Sequence, residues 1–231
     1  MSSTFRLVDS VPEAFTELVA TRLGQPTGTF SLFLSGGSLA EQCYEALALR
    51  PDLAWGAVDV YMGDERCVPP SDPDSNHSMV VRALLDRVPS VHGDFPMYLS
   101  GSPEEAAAAY QELLTPIETF DLVHLGVGDD GHTCSLFPES TALEVRDPAT
   151  LVVANTDPSG HNPHARLTLT YPALTRSRLA VFTVSGAGKN EAMTRIFSGE
   201  PLPAARVEAD EIIWLVDHEA AAGLDLSRPP R

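Results

Sequence analysis

Four apolar runs in this chain end directly in polar, glycine-bearing turns. Phe30–Leu34 runs into Ser35-Gly36-Gly37-Ser38, and Val58–Met62 into Gly63-Asp64-Glu65-Arg66. Asp121–Leu125 runs into Gly126-Val127-Gly128-Asp129-Asp130-Gly131-His132-Thr133, and Leu179–Val184 into Ser185-Gly186-Ala187-Gly188-Lys189. Short apolar runs bounded by turn residues read as buried strands. Helical patterns separate them, so the chain alternates strand and helix. That alternation implies an α/β fold with a mostly parallel sheet flanked by helices on both faces. Ligands of such sheets bind beyond the carboxyl ends of the strands. The four turns are therefore expected to gather on one edge.

The remaining segments fit this plan. Thr4–Val8 reads as a first strand, Leu151–Ala154 as another and Ile212–Val216 as the last, with a polar loop His161–Arg166 leading into Leu167-Thr168-Leu169-Thr170. Capping-box spacings at Ser10/Glu13, Ser38/Glu41 and Ser102/Glu105 predict three helix starts. Met79, Val80, Ala83 and Leu84 predict a helix after the polar loop Val68–Asn76, and Met193, Ile196 and Phe197 predict another. His218–Gly223 predicts a short helix before a frayed tail. No internal repeat or linker interrupts the chain, which predicts one domain over residues 1–231.

Charge and composition narrow the function. Asp and Glu outnumber Lys and Arg 32 to 15, for a net charge of −17. Nucleic-acid binding needs a basic stripe, so that class is excluded. A small anionic substrate is not, because charges beyond a Debye length of roughly 8 Å are screened and a local basic pocket can prevail. Three cysteines, Cys43, Cys67 and Cys134, match no zinc or disulfide framework and suit a reducing cytoplasm. No signal peptide and no apolar run of the ~18 residues a membrane span needs is visible.

Three of the turns carry residue types and spacings that point to chemistry. Gly126–Gly131 matches a dinucleotide-binding G-x-G-x-x-G, but two adjacent aspartates would repel a pyrophosphate, and Pro138 cuts any following helix short. Ser185–Lys189 lacks the upstream glycine of a P-loop, yet keeps a glycine turn, a helix start and the chain's one lysine, Lys189. Ser35–Ser38 offers backbone N–H groups to an anion in the same way. Asp130 and His132 stand two apart, close enough to share a proton, which makes His132 a candidate general base. The bland alternative is a buried imidazole bonded to Asp130. His161 and His164 read as ordinary loop residues. No third ligand at usual spacing joins His132 and Cys134 in a metal site, and no G-x-S-x-G elbow occurs.

Together these segments resemble the glucosamine-6-phosphate isomerase/6-phosphogluconolactonase family, on its lactonase side. The resemblance rests on Leu34–Ser38, Gly63–Arg66 with Pro69, Ser75 and Asn76, Gly126–Thr133 with Ser135-Leu136-Phe137-Pro138, Arg166–Thr170 and Ser185–Lys189, in the family's order. Leu39-Ala40, His77 and Cys134 depart from the usual pattern. The resemblance implies a Rossmann-like fold shared with glucosamine-6-phosphate deaminase and ribose-5-phosphate isomerase. It also implies hydrolysis of a sugar-phosphate lactone without cofactor or metal.

In that setting His132 would be the general base and Asp130 would fix its tautomer. Arg66 would stabilise the oxyanion or hold the sugar acid, and Gly36, Gly37, Ser38, Arg166 and Lys189 would bind phosphate. Ser35, Asp64, Asn76 and Gly128 complete the expected substrate site. The alternatives are a related sugar-phosphate deaminase or isomerase, and a non-catalytic sugar-phosphate sensor. Deaminases usually carry Asp-Glu-Tyr-like and Asn-Glu-Pro-like segments where this chain has Asp64-Glu65-Arg66 and Ser135-Leu136-Phe137-Pro138. Sensors usually carry a DNA-binding domain.

Overall fold

A computed structural model describes residues 2–24 and 28–225. The chain begins with β1 (Ser2–Leu7), α1 (Val11–Leu23), β2 (Phe30–Leu34), α2 (Ser38–Leu47), β3 (Val58–Met62) and β4 (Asp64–Arg66). It continues through α3 (Asn76–Val80), β5 (Gly93–Phe95), α4 (Pro103–Leu114), β6 (Leu122–Leu125) and β7 (Val152–Asn155). It ends with β8 (Arg166–Leu169), α5 (Tyr171–Leu174), β9 (Leu179–Val184), α6 (Asn190–Phe197) and β10 (Glu211–Val216). Seven strands form one parallel sheet in the order β1-β10-β9-β6-β2-β3-β5.

Every residue of β2, β6 and β9 is buried, which is why these strands read as near-continuous apolar runs. Strand order sets β9, β6, β2 and β3 side by side, so their trailing turns gather on one edge, as the alternation predicts. Phe182 stacks on Trp214 with ring centroids 3.9 Å apart, and Phe33 packs between Tyr61 and Phe120. His124 is the polar exception in β6. Its ring nitrogens lie 2.8 Å from Tyr44 Oη and 2.8 Å from Thr183 Oγ1, so the buried imidazole is satisfied on both sides.

Four differences from the sequence reading stand out. Asp64–Arg66, expected as loop, is a strand, because its backbone pairs with β8 in a small antiparallel sheet ordered β4-β8-β7. The Ser38/Glu41 box does not form. Gly37, at φ +101°, is the N-cap of α2, and its carbonyl takes the Glu41 N–H at 2.9 Å, which makes Ser38 the first helical residue. At Ser10 only the serine half of the box closes, accepting from Glu13 N at 3.4 Å, whereas Ser102 and Glu105 complete both halves. His218–Gly223 winds as turns rather than a helix. The backbone closes one i+4 bond there, Ala221 N–H to Asp217 O, then loosens to i+3. The frayed tail expected beyond it lies, from residue 226 on, outside the described residues. All three cysteines are free, and among the described residues no helix is long and apolar enough to cross a membrane.

Candidate active site

The gathered turns enclose a cleft of about 670 Å³, within the range of roughly 300–1,000 Å³ usual for small-molecule sites. Three segments wall it: the turn after β2 with β4 and Asn76, the turn after β6 with Lys189, and the loop from Asp157 to Arg166.

The turn after β6 builds an Asp–His pair. Asp130 Oδ1 accepts from His132 Nδ1–H at 2.6 Å and from the His132 backbone N–H at 3.0 Å. Burial tends to raise the Asp130 carboxyl, but the bonds from His132 outweigh it, so the group is held below the usual carboxylate range and stays ionised. An ionised carboxylate can only accept, so the neutral His132 ring carries its proton on Nδ1 and its lone pair on Nε2. Phe137 backs the ring at a centroid distance of 4.9 Å. Gly128 makes the packing possible, since a Cβ there would sit 2.1 Å from His132 Nδ1. The third element of the dinucleotide fingerprint, a helix facing the turn, does not follow β6.

Across the cleft, β4 and β8 present guanidinium groups. Arg66 and Arg166 are paired Cα partners in the antiparallel ladder. Arg66 donates to the Asp74 carbonyl at 2.7 Å, and Arg166 donates through one terminal nitrogen to Asn162 Oδ1 at 3.3 Å. Arg166 Nε is buried without a hydrogen-bond partner, as is Oδ1 of Asn76, which also lines the cleft. Burial pulls the Arg166 pKa down, and Arg66 adds to that pull against the opposing charges of Asp64 and Glu65.

Glu65, fully buried, explains how this wall is held. Its carboxylate accepts from the backbone N–H groups of Arg66, Asn76 and His77 at 2.7, 2.7 and 2.8 Å, and from Ser75 Oγ at 3.2 Å. Burial raises its pKa while those backbone bonds work against the rise. The carboxylate thus fixes the start of α3, and with it Asn76, whose amide lies against Gly36. A Cβ on Gly36 would come within 1.9 Å of Asn76 Oδ1. Asp64 accepts from Ser135 Oγ at 2.6 Å and from Asn76 Nδ2 at 3.4 Å, joining two walls of the cleft.

All but one of the residues expected from sequence line the cleft: His132, Asp130, Arg66, Ser35, Gly36, Gly37, Asp64, Asn76, Gly128, Arg166 and Lys189. Ser38 does not, because it has been drawn into the first turn of α2. Ser35 lines the cleft but its hydroxyl is committed inward, donating to the His124 carbonyl at 2.6 Å. Without a side-chain cap, the first amides of α2 are available to an anion. Lys189 Nζ lies 2.6 Å from Asp129 Oδ1. The reading missed His161, which lines the cleft, and Asp157, whose carboxylate shapes the loop carrying it. The pattern Asp157-x-Ser159-x-His161 was the available signal. Cys134, one of the departures from the family pattern, also lines the cleft. Among the described residues no three His, Cys, Asp or Glu side chains cluster as metal ligands would.

A parallel α/β sheet, a carboxylate-oriented histidine and a facing cationic wall suit acid–base chemistry on a small anionic substrate. The chain belongs to the family described as glucosamine-6-phosphate isomerases/6-phosphogluconolactonase, whose pattern matches residues 3–214. It is 39% identical over 229 residues to a 6-phosphogluconolactonase from Nostoc sp., the match covering 91% of this chain and 92% of that protein. Identity to the 6-phosphogluconolactonase of Homo sapiens is 34%, over 95% of this chain and 92% of that one. The solved structure of 6-phosphogluconolactonase from Thermotoga maritima matches with a TM-score of 0.81 and 30% identity, over 94% of this chain and 100% of the other. A monomeric glucosamine-6-phosphate deaminase matches with a TM-score of 0.78 at 20% identity, which shows the shared fold alone.

Proposed function

We propose that this chain, acting as one domain in the cytoplasm, hydrolyses 6-phospho-D-glucono-1,5-lactone to 6-phospho-D-gluconate, the second step of the oxidative pentose phosphate pathway. The observation that carries the proposal is the Asp130–His132 pair opening on a cleft that also holds Arg66, Arg166 and Lys189.

A lactone is an activated ester, so the reaction needs a base for water and a positive partner for the carbonyl oxygen. His132 Nε2 takes a proton from water as its oxygen attacks C1, and the carbonyl pair moves onto oxygen. Asp130 stabilises the imidazolium that forms. Arg66 holds the developing oxyanion. As the tetrahedral intermediate collapses, the bond from C1 to the ring oxygen breaks, and His132 returns the proton to that oxygen. The product acid then ionises. Gly36 and Gly37 by backbone, and Arg166 and Lys189 by side chain, hold the phosphate. No step calls for a metal or a cofactor.

The test is a coupled assay on freshly made lactone, with and without a strong chelator, read against spontaneous hydrolysis. Turnover well above background in both is expected. A background rate accompanied by ammonia release from glucosamine 6-phosphate would move the chain to the deaminase side of its family. Specific sugar-phosphate binding with neither activity would make it a sensor.

A further inference from the structure

The cleft holds a second imidazole in a different chemical setting. His161 stands on the loop between β7 and β8, and that loop is organised by Asp157, which is only 8% exposed. Asp157 Oδ1 accepts from the Ser159 backbone N–H at 2.8 Å and from Ser159 Oγ at 2.7 Å. Its Oδ2 accepts from the Asn162 backbone N–H at 3.0 Å and from Asn162 Nδ2 at 2.8 Å. Asn162 Oδ1 in turn accepts from Arg166, so the loop is tied to the cationic wall.

This chain of bonds settles the His161 tautomer. Ser159 has one hydroxyl proton, and it goes to the Asp157 carboxylate. Toward His161 Nδ1, 2.8 Å away, Ser159 Oγ can then only accept. Nδ1 is therefore the protonated nitrogen, and the neutral ring has its lone pair on Nε2, with no partner there from the described residues. A lone pair on a neutral ring suits a hydroxyl donor and opposes a phosphate oxygen. The partner at Nδ1 also differs from that of His132: a serine hydroxyl rather than a carboxylate.

We propose that His161 is a further substrate-binding residue of this cleft, accepting through Nε2 a hydrogen bond from a hydroxyl of the sugar chain. It reads the polyol, while the arginines and Lys189 read the phosphate. The inference rests on the lactonase reading for its substrate.

His161→Ala tests it, since the ring is exposed and its loss leaves the Asp157 bonds in place. Wild type and variant are titrated by calorimetry with 6-phosphogluconate, gluconate and inorganic phosphate, and assayed on the lactone. Expected is a weakening of 6-phosphogluconate and gluconate by the same factor, roughly 2- to 12-fold for one lost hydrogen bond. Inorganic phosphate binds unchanged, and KM rises with kcat held within about twofold. His161→Gln, with an amide oxygen in reach, stays within about threefold of wild type. Unchanged affinities, a loss confined to the phosphorylated ligand and phosphate, a glutamine variant as weak as alanine, or a fall in kcat at constant KM would each overturn the proposal. Wild-type protein that binds gluconate through His161 but fails to hydrolyse lactone would instead remove the lactonase reading alone.

Discussion

Arg66 and Arg166 stand directly opposite each other on antiparallel strands, so two guanidinium groups share one face of a small sheet at the cleft wall. Like charges so placed destabilise by about 0.2–1 kcal/mol. Nearby Asp64 and Glu65 offset part of this for Arg166, but its Nε still lacks a hydrogen-bond partner. A substrate that sets its oxyanion on Arg66 and its phosphate on Arg166 would turn the repulsion into two attractions. The arrangement favours the liganded state over the free one.

Arg66→Gln should therefore leave the free protein within ~1 kcal/mol of wild-type stability, since it relieves the repulsion while losing one bond to the Asp74 carbonyl. Its kcat/KM should fall ~10²–10³-fold, the usual loss for one oxyanion donor. Urea denaturation and lactone kinetics on the same preparation measure both. A variant that is unstable but catalytically normal would make Arg66 a structural strut for the 68–76 loop.

His132→Ala should lower lactone turnover by ~10²–10⁴-fold, the range for a missing general base. The fold should survive, because the ring is partly exposed and bonded only within its own turn. Asp130→Asn should also be slow, because an amide can donate to Nδ1 and so favour the wrong tautomer, while 6-phosphogluconate affinity is largely kept. Near-normal turnover in a folded His132→Ala protein would assign the proton transfer elsewhere, with His161 the first alternative to test.

What was legible in the sequence follows contact range. Strands β2, β3 and β9 matched their apolar runs to the residue, because near-complete burial leaves a near-continuous hydrophobic signal broken only by single polar residues such as Ser31 and Asp59. The Asp130–His132 pair was legible because its members stand two positions apart. The opposition of Arg66 and Arg166 was not, since it depends on a register between strands a hundred residues apart, one of them the three-residue polar run Asp64–Arg66. Gly36 could be read as a turn residue, but not as the space Asn76 needs. Ser38 misled because its spacing to Glu41 fits a box that the positive φ of Gly37 pre-empts. His161 was passed over because the Asp157-x-Ser159-x-His161 spacing gains its meaning only from the bonds by which Asp157 and Ser159 fix the ring.

Stability should depend on pH through His124, which is fully buried between Tyr44 and Thr183. Burial pushes its pKa down to about 3. An unfolded histidine titrates near ~6.5. Between these values the unfolded chain binds a proton that the native chain refuses, so stability falls as pH drops, by on the order of 1 kcal/mol per pH unit. From the lower end of that window downward the depressed carboxyls of Asp130 and Asp217 act in the same direction. Their contribution is present above the unfolded value near ~3.9 and lost as pH falls through the folded one. His124→Gln should flatten the dependence between roughly pH 6.5 and 4.5, whatever its effect at neutral pH. Urea midpoints across that range are the measurement, and an unchanged slope would place the acid sensitivity in other groups.

Lys189 is the one lysine of a chain with net charge −17, and its ammonium is held 2.6 Å from Asp129. The Asp129 side chain is 83% exposed, so by itself the pair adds only ~0–1 kcal/mol to stability. A phosphate dianion entering the cleft competes with Asp129 for the same ammonium and should win on charge. Lys189→Ala should then weaken 6-phosphogluconate by roughly 1.5–3 kcal/mol, the range for hydrogen bonds to charged groups, and barely affect gluconate. Asp129→Asn should act in the opposite sense. With no carboxylate to displace and one negative charge fewer at the cleft mouth, 6-phosphogluconate should bind tighter by a few tenths to ~1 kcal/mol. That gain should shrink at high salt, where an exposed pair is screened. Calorimetric titration of both ligands against wild type and the two variants separates the cases. Equal losses for both ligands on Lys189→Ala would take the lysine out of the phosphate site, and weaker binding on Asp129→Asn would mean that the aspartate positions the ammonium rather than competing for it.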